Sequence, residues 1–396
     1  MANQIRKINF GEILENDIIN TYYSKLYNNK THLLIHSSSK TDSEILKNNL
    51  IYVHDVPNYL KTELSTISEN IKLNKINSYR GSLIDLSNYN TIDDYLANEI
   101  TSKERYEIRR RQKRLDNCFK PVYKMYYGDI SKSDYDIIFN DYKEMLLRRL
   151  EQKQSYWEEL DYWEERYNAS FKLINERKAC VFVIYHNHTP IAIYINSIYD
   201  KIIFNEVVAY DIDFSRFNIG ILIFIKVIEW SINHEFHIMD MSKGDFSYKE
   251  RFRNGTYTFE NHIIYNSNNI SISIKARLLI LKLNLLYKFL PLLKKIKLHK
   301  LNTFIKRIKN RHLFKEYTTK TNLNIETKKL SSINIMDHLE LINPEDKVYS
   351  LLKKSIIDFA FLNVEFIDDI LVYRDTTNEK KFYIKGKKSI HQIVIQ

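Results

Sequence analysis

The stretch "MDMSKGDFSYKERFRNG", residues 239–255, concentrates groups that could do chemistry directly after a hydrophobic stretch with strand character. Asp240 ends that stretch, and Gly244 allows a sharp turn with positive φ. Asp245 then stands where a substrate hydroxyl or amine could be hydrogen-bonded or deprotonated. Lys249 could stabilise an oxyanion or a phosphate. The alternative is structural, with Asp245 as a helix cap and Lys249 as a surface cation four residues later.

The loop "SRFNIG", residues 215–220, predicts a site for a phosphate or pyrophosphate. It places Gly220 at the start of an apolar helical stretch, where the first backbone N–H groups are unpaired and the helix dipole is positive. Arg216 adds a positive charge nearby. Any glycine in front of a helix gives this pattern, so a purely structural turn is the alternative.

Some further residues have suitable chemistry but weaker context. Glu206, on a predicted strand, could be a general base or could face outward from the sheet. The "HNH" stretch at 186–188 lies in a predicted turn and lacks the surroundings of a nuclease site. His234 and His237 straddle a helix end and a strand start, so their rings do not share one face for zinc. We therefore predict no metal site.

The elements that position these groups follow from periodicity. "ACVFVIYH", "IAIYINSIY" and "IIFNEVVAY" predict three antiparallel strands joined by short turns. A helix over "ILIFIKVIEWSINH" and a strand over "FHIMDM" come next. Because a strand that rejoins a sheet after a crossover helix most simply lies parallel to the strand before it, we expect a parallel pair. A short helix at Tyr248–Arg253 and strands in "TYTFENHIIYN" follow.

Helices are predicted upstream of these strands. Residues 101–117 have Thr101 or Ser102 as the cap and glutamates in the opening turns. Two more helices are predicted at about 132–150 and 155–176.

The segment 210–252 resembles the GNAT acyltransferases, and within them the cellulose and exopolysaccharide biosynthesis (CelD-like) acetyltransferases, which are related to the Fem peptidyltransferases. The shared features are a glycine at the helix start, a tryptophan-bearing helix, a strand ending in Asp, a Gly-Asp pair and Tyr-Lys. Here these are Gly220, Trp230, Asp240, Gly244–Asp245 and Tyr248–Lys249. "SKERYEIRRRQKRLDN" also resembles a basic helix of that group, so the resemblance covers about residues 100–265.

The resemblance implies an α/β (α+β) fold with a GNAT-like mixed sheet flanked by helices, and acetyl-CoA or another acyl-CoA as donor. Candidate catalytic residues are Asp245, Lys249, Asp240 and Glu206. Candidate donor-binding residues are Arg216, Asn218, Ile219, Gly220 and Ile221, and candidate acceptor-binding residues are Tyr248, Arg105 and Arg109.

One departure from the family pattern concerns the donor. GNAT enzymes usually carry a second small residue after the loop glycine, and Leu222 fills that position here. Fem relatives use aminoacyl-tRNA, so Fem-like aminoacyl transfer is an alternative. A catalytically silent, membrane-associated scaffold for polysaccharide synthesis is an alternative from a different class.

Composition bounds the remaining possibilities. The chain has 396 residues, 44% of them hydrophobic and 28% charged, which favours two or three folded units over a disordered chain. Its two cysteines, Cys118 and Cys180, are far apart and predict a reducing compartment. The N-terminal residues lack an apolar core, and the apolar run "IGILIFIKVIEW" is broken by Lys226. We therefore expect no secretory signal, no membrane span and a cytoplasmic location.

The net charge of +11 comes from one segment. Residues 261–315 contain thirteen Lys and Arg and no Asp or Glu. Leucines recur there at helical spacing in two stripes, and Pro291 should kink or split the helix. The pattern at 275–312 fits an interfacial helix on an anionic membrane, which would be the inner membrane face. It fits equally well a helical hairpin that packs on the rest of the protein and leaves its lysines in solvent. Nucleic acid is an unlikely partner, because aromatic interleaving is sparse.

These observations predict four parts: an α/β unit at 1–100 that could be a degenerate GNAT half, a GNAT-like domain at 101–268, the basic helical segment at 269–315 and a small α/β extension at 316–396. The predicted function is transfer of an acyl group, acetyl from acetyl-CoA, to an amine or hydroxyl of a sugar or cell-envelope precursor.

Overall fold

The computed structural model describes residues 5–38, 45–46, 49–64, 70–244, 246–295, 298–314, 325–330 and 338–395. The strands in chain order are β1 Ile5–Asn9, β2 Lys25–Asn28, β3 Leu33–Ser37, β4 Leu50–Pro57, β5 Leu60–Glu63, β6 Ile71–Asp85, β7 Val122–Tyr126, β8 Ala179–His186, β9 Thr189–Tyr199, β10 Ile202–Tyr210, β11 Ile238–Lys243, β12 Gly255–Asn266, β13 Ile325–Leu330, β14 Leu339–Ile342, β15 Leu371–Asp375, β16 Asn378–Lys385 and β17 Ile390–Ile395.

The helices in chain order are α1 Phe10–Glu15, α2 Ile19–Tyr22, α3 Ile92–Glu99, α4 Ser102–Phe119, α5 Lys132–Gln152, α6 Trp163–Asn175, α7 Ile219–Asn233, α8 Ser247–Phe252, α9 Ile270–Lys295, α10 Leu298–Lys309 and α11 Lys353–Asn363. The chain divides into two units: residues 1–100, 196–206 and 229–301 form the first, and residues 101–195, 207–228 and 302–396 form the second. The four-part division predicted from sequence stays a prediction.

The first unit is built on a mixed sheet. Its strands follow the order β1-β4-β12-β6-β11-β10, with β1 parallel to β4, β11 parallel to β10, and the neighbours between them antiparallel. The parallel pairing of β10 with β11 confirms the expectation for a strand that follows a crossover helix. The predicted strands of "TYTFENHIIYN" form the single strand β12, because β6 and β4 pair along most of its length.

Two hydrophobic clusters stabilise this sheet. One buries Phe10, Ile13 and Tyr22 from the helices that follow β1, together with strand residues such as Val53 and Ile264. The other buries Ile272, Ala276 and Leu283 of α9 with Leu50 and Ile263 of the strands. Because helices pack on the mixed sheet, the predicted α/β fold with a mixed sheet flanked by helices is confirmed.

The second unit contains β7, antiparallel to β8, and the neighbouring β9. Its main cluster packs α5 and α6 with residues of these strands, including Tyr135, Phe139, Tyr142 and Trp163. Thr101 caps α4 as predicted, since its hydroxyl accepts a hydrogen bond from the Glu104 amide. A separate antiparallel sheet in this unit has the order β13-β17-β16-β15-β14.

One predicted helix boundary is wrong, and the helix interruption predicted at Pro291 is corrected in part. The helix predicted at 155–176 begins at Trp163, because residues 158–162 form a 3-10 turn and Trp157 is extended. Pro291 does not split α9, which continues to Lys295, and the predicted kink stays a prediction. A proline removes one backbone donor from a helix, and the rest of that helix can persist around it.

Candidate functional site

Asp240 is the centre of a buried hydrogen-bond cluster in the first unit. Its carboxylate accepts hydrogen bonds from the hydroxyls of Tyr59 and Tyr257, each at 2.6 Å, and from the Ser242 amide at 2.6 Å. The residue is 1% exposed. It was expected to end its strand, but β11 continues to Lys243, which pairs with Gly81 after a bulge. Asp240 therefore lies within the strand.

Gly81 makes this arrangement possible. Tyr257 on β12 lies opposite Gly81 on β6, and a Cβ on that glycine would be 2.2 Å from the ring atom Cζ of Tyr257. The absence of a side chain on β6 lets the ring cross the neighbouring strand and place its hydroxyl on Asp240. A glycine inside a strand often marks such a close approach, and this was the one signal in the sequence for the cluster.

Burial raises the pKa of Asp240 above its ordinary value. The hydrogen bonds from the two tyrosines and the Ser242 amide, and the charge of Lys249, oppose this effect without cancelling it. Burial also raises the pKa of Tyr59 and of Tyr257 well above the ordinary value, so both hydroxyls stay protonated and donate.

The chain turns sharply after Asp240. Ser242 has φ of 59° and Gly244 has φ of 107°, so the positive φ predicted for Gly244 is confirmed. A Cβ at Gly244 would also lie 2.8 Å from the ring of Phe246. Asp245, the predicted base, lies outside the described residues.

Lys249 closes this turn from the short helix α8. Its ammonium donates to the backbone carbonyl of Lys243 at 2.6 Å and of Ser242 at 3.3 Å, and the residue is 4% exposed. The Tyr248 ring, half-buried, stacks with that of Phe246. Lys249 therefore ties the turn of residues 242–244 to α8.

A second cluster, formed by Asn9, His54, Asp55 and Lys243, meets the first at Lys243. One carboxylate oxygen of Asp55, Oδ2, lies 2.9 Å from the Lys243 ammonium, 3.0 Å from Nδ1 of His54 and 3.2 Å from the Asn9 amide nitrogen. Asp55 has φ of 62° although it lies inside β4, and such strain often accompanies functional positions. Sequence reasoning missed this cluster entirely.

The pKa of Asp55 reflects these contacts. Burial alone would raise it, but the hydrogen bond with His54 and the charge of Lys243 outweigh burial and lower the pKa of Asp55 to about 2. Asp55 is therefore ionised at neutral pH and forms an ion pair with Lys243, the last residue of β11.

Glu206 lies on β10 and contacts a serine on β9. The Ser197 hydroxyl donates to Glu206 at 2.6 Å, and Glu15 of α1 lies 3.2 Å from the same hydroxyl. Glu206 is half-buried. The structure thus brings Glu206 next to a second carboxylate.

The pairing of β10 with β11 is short. It covers three residue pairs and ends at Phe204 opposite Asp240, although both strands continue. The next residue, Asn205, is 8% exposed, and neither its amide nitrogen nor its amide oxygen has a hydrogen-bond partner among the described residues. A buried amide without partners is costly, so this position calls for an explanation.

The predicted donor loop belongs to the second unit. Asn218 adopts φ of 57°, and α7 begins at Ile219, so Gly220 lies in the first turn as predicted. The Asn218 carbonyl accepts from the amides of Ile221 and Leu222. A Cβ on Gly220 would lie 2.9 Å from the ring of Tyr210, over which the Arg149 guanidinium sits at 4.2 Å. Packing against Tyr210 is thus a reason for glycine here that involves no ligand.

The arginines predicted to bind ligands lie near this loop and on α4. Arg216 is 47% exposed at its side chain and forms an ion pair with Asp358 at 2.9 Å. Its carbonyl accepts a hydrogen bond from Arg111 of α4. Arg105 and Arg109 lie on the same helix, Arg105 half-buried and Arg109 exposed.

The loop that leads to α7 is braced by ionic contacts that sequence reasoning missed. Arg148 of α5 donates to Asp211 at 2.9 Å and to Asp213 at 3.0 Å, and the Lys353 ammonium donates to Asp211 at 2.7 Å. These contacts hold the backbone that precedes Gly220. Within the described part of the chain, no group of three or more His, Cys, Asp or Glu residues could hold a metal ion.

Comparison with known proteins identifies one domain. Residues 102–250 match the family model described as Acetyltransferase (GNAT) domain. The predicted resemblance is therefore confirmed for the GNAT domain, and the narrower CelD-like assignment stays a prediction. No curated protein sequence matches the chain.

Several solved structures are similar to this chain. FemX is 11% identical, with 57% of this chain and 74% of that chain covered and a TM-score of 0.40. L-PGS from Bacillus licheniformis is 12% identical, with 58% and 72% covered and a TM-score of 0.35. A GCN5-related N-acetyltransferase from Kribbella flavida is 9% identical, with 56% and 70% covered and a TM-score of 0.27.

Proposed function

We propose that this protein transfers an acetyl group from acetyl-CoA to an amine or hydroxyl of a sugar or cell-envelope precursor. The match of residues 102–250 to the acetyltransferase domain supports acyl transfer, and GNAT domains generally use acyl-CoA. The observation that carries the choice of donor is Asn205, which is buried immediately after the pairing of β10 with β11 ends and whose amide has no partner in the described part of the chain.

Asn205 offers one donor group and one acceptor group to a bound molecule. The pantetheine arm of coenzyme A carries secondary amides, which can satisfy both. A ligand amide at this position would remove the desolvation cost that the free protein bears. On this proposal the donor enters where β10 and β11 stop pairing, and Asn205 fixes the depth of its pantetheine arm.

Replacing Asn205 by leucine separates this role from a structural one. We expect acetyl-CoA affinity to fall about 3- to 10-fold, because one or two ligand hydrogen bonds are lost. The free energy of unfolding should stay equal or rise, because a buried unpaired amide is replaced by an apolar group of similar size. Calorimetry with acetyl-CoA and urea unfolding measure the two quantities.

Asn261→Leu is the matched control. Asn261 is 1% exposed, and its amide nitrogen has no hydrogen-bond partner among the described residues, but its amide oxygen accepts a hydrogen bond from Tyr52 at 3.2 Å. This variant should lose stability and keep its acetyl-CoA affinity. A loss of stability in Asn205→Leu with unchanged donor affinity would assign Asn205 to the fold alone.

In the proposed reaction the acceptor nitrogen or oxygen attacks the thioester carbonyl carbon. The acceptor gives up a proton to a base, and coenzyme A leaves as a thiolate that takes up a proton. We assign the base to Asp245, with Glu206 as a second candidate. For Lys249 to stabilise the oxyanion, its ammonium would have to leave the carbonyls of Ser242 and Lys243.

The described contacts support positioning roles for several of these groups. Asp240 and Lys249 hold the turn of residues 242–244, which precedes Asp245 in the sequence, and Asp55 holds this turn through Lys243. His54, with Asp55 on its Nδ1, is an additional group able to accept a proton near this turn.

Product formation tests the proposal directly. The protein is incubated with labelled acetyl-CoA and a panel of nucleotide-linked and lipid-linked amino sugars, while released thiol and acetylated product are followed. Acetylation of a sugar amine or hydroxyl supports the proposal. Binding of acetyl-CoA without transfer to any amine or hydroxyl, or no binding at all, overturns it.

Fem-like aminoacyl transfer is the second candidate, and one residue favours it. Leu222, where acyl-CoA enzymes of this kind usually carry a small residue, is buried at the start of α7. Labelled aminoacyl-tRNA in the same assay decides between the donors. If neither donor reacts, the silent scaffold is the remaining function.

The role of Gly220 has its own test. Gly220→Val should lower the free energy of unfolding by about 1–3 kcal/mol, because its side chain would overlap the Tyr210 ring. If packing is the only reason for glycine, the double variant Gly220→Val/Tyr210→Ala should recover part of the stability and the full acetyl-CoA affinity. If the pyrophosphate of the donor approaches this backbone, affinity should stay low in the double variant. Calorimetry on both variants distinguishes these results.

The proposed acceptor class also suggests where in the cell the protein acts. Envelope precursors are often linked to lipid, so we include peripheral attachment at the inner membrane face in the proposal. No helix of the described residues is long and apolar enough to cross a membrane.

A further inference from the structure

Helix α9 exposes an apolar face along its length. Eight large apolar side chains are between 41% and 76% exposed: Ile270, Ile274, Leu278, Leu281, Leu285, Leu286, Phe289 and Leu292. Isolated exposed apolar residues are ordinary, but a continuous row of this kind marks an interaction surface. We call these eight residues the α9 stripe.

The opposite face of α9 holds the helix on its own unit. Ile272, Ala276 and Leu283 are buried against Leu50 and Ile263 of the sheet. Leu279, Ile280 and Tyr287 pack beside them. The fold therefore uses one face of α9, and the stripe on the other face contributes nothing to the core of its unit.

Cations border the stripe on both sides. With 3.6 residues per turn, all stripe residues except Leu286 fall within an arc of about 100°. The same spacing places Lys275 and Lys282 along one border and Arg277 and Lys288 along the other. Residues 261–315 contain no Asp or Glu, so no acidic group on the segment offsets this charge.

We propose that α9 binds flat on an anionic lipid surface, with the stripe buried among the acyl chains and the bordering cations at the phosphates. Long basic side chains can lie along the apolar surface and keep their charges at the headgroups. The stripe runs about 33 Å, from Ile270 to Leu292, which suits a helix in the membrane plane. The proposal gives the peripheral attachment included in the proposed function a specific surface, and it holds whichever donor and acceptor the protein uses.

Charge decides between lipid and other occupants. A second copy of this chain placed stripe to stripe would bring two rows of cations together, and the segment has no carboxylate to pair with them. A nucleic acid would match the cations but not the apolar centre. An anionic bilayer satisfies both the apolar face and its basic borders.

Vesicle flotation of the full chain tests the proposal. The protein should float with vesicles of phosphatidylglycerol and phosphatidylcholine at low salt, bind pure phosphatidylcholine at least about 10-fold more weakly, and lose affinity as salt rises. Arg277→Gln/Lys282→Gln/Lys288→Gln should weaken binding about 100-fold, since each cation near an anionic surface contributes about 5-fold. Leu278→Ser/Leu285→Ser should weaken binding on the same vesicles.

The matched control is Ile137→Ser/Leu362→Ser, which removes exposed apolar residues, 51% and 50% exposed, outside α9. It should bind vesicles like the parent. Acetyl transfer to a soluble acceptor should be unchanged in all these variants, which separates this proposal from the proposed function. Absence of flotation with anionic vesicles at low salt overturns the proposal. So does a dimer in sedimentation velocity that Leu278→Ser/Leu285→Ser abolishes.

Discussion

Replacing Asp240 by alanine should lower the free energy of unfolding by about 3–5 kcal/mol. The change leaves the Tyr59 hydroxyl, the Tyr257 hydroxyl and the Ser242 amide without the acceptor they share in the core. Each buried donor without a partner costs about 1–3 kcal/mol. Removing a carboxylate whose burial raises its pKa offsets part of this loss. Urea unfolding followed by circular dichroism measures the difference.

The apolar replacement of the whole cluster is the control. The triple variant Asp240→Leu/Tyr59→Phe/Tyr257→Phe removes the carboxylate together with both hydroxyls, so it should recover a large part of the loss seen in Asp240→Ala. Tyr59→Phe alone should cost about 1 kcal/mol. If Asp240→Ala were as stable as the parent, the cluster would not be holding the strand.

The parts of the fold confirmed from sequence are those that local pattern determines. The strands β8 and β10 and the helix α7 lie where the change from strand to helix period predicts them. The parallel pairing of β10 with β11 follows from the chain order of strand, helix and strand. The positive φ of Gly244 follows from residue type and the turn around it. All of these depend on neighbours in sequence.

The contacts around Asp240 depend on strand order. Tyr59 is 181 residues from Asp240 in the chain, and β6, from the first hundred residues, pairs with both β11 and β12. Periodicity predicts that these strands exist, but it does not state which of them become neighbours. The partners of Asp240 and the cluster of His54, Asp55 and Lys243 could therefore not be predicted.

Helix α9, in the basic segment, shows a different limit of prediction from sequence. Its sequence contains two apolar stripes of similar strength, which left a membrane face and a packed hairpin equally open. The sheet decides between the stripes, because Leu50 and Ile263 bury Leu283 while Leu278, Leu281 and Leu285 stay exposed. Amphipathic pattern predicts a helix, and only the packed partner shows which of two apolar faces is covered.

The largest effect on activity is expected at Asp245. If Asp245 accepts the acceptor's proton, Asp245→Asn should lower kcat about 10²- to 10⁴-fold and leave acetyl-CoA affinity unchanged, because the amide keeps the shape and cannot take a proton.

Lys249→Ala should also lower kcat, and the free energy of unfolding of this variant shows which role Lys249 has. If Lys249 donates to the oxyanion, its removal should lower kcat about 10²- to 10³-fold and leave the free energy of unfolding unchanged. A lysine that only ties the turn through the carbonyls of Ser242 and Lys243 should lose stability as well.

Glu250→Gln is the matched control for both variants, since Glu250 lies on α8 beside Lys249, is 51% exposed at its side chain and pairs with Arg253. Its kcat should equal that of the parent. Initial rates on the acceptor found in the transfer assay give kcat for each variant, and calorimetry gives its acetyl-CoA affinity. Turnover of Asp245→Asn and of Lys249→Ala within about twofold of the parent would remove both residues from the mechanism, because a base or an oxyanion donor contributes far more than that. His54 and Glu206 would then be the groups left to supply the base.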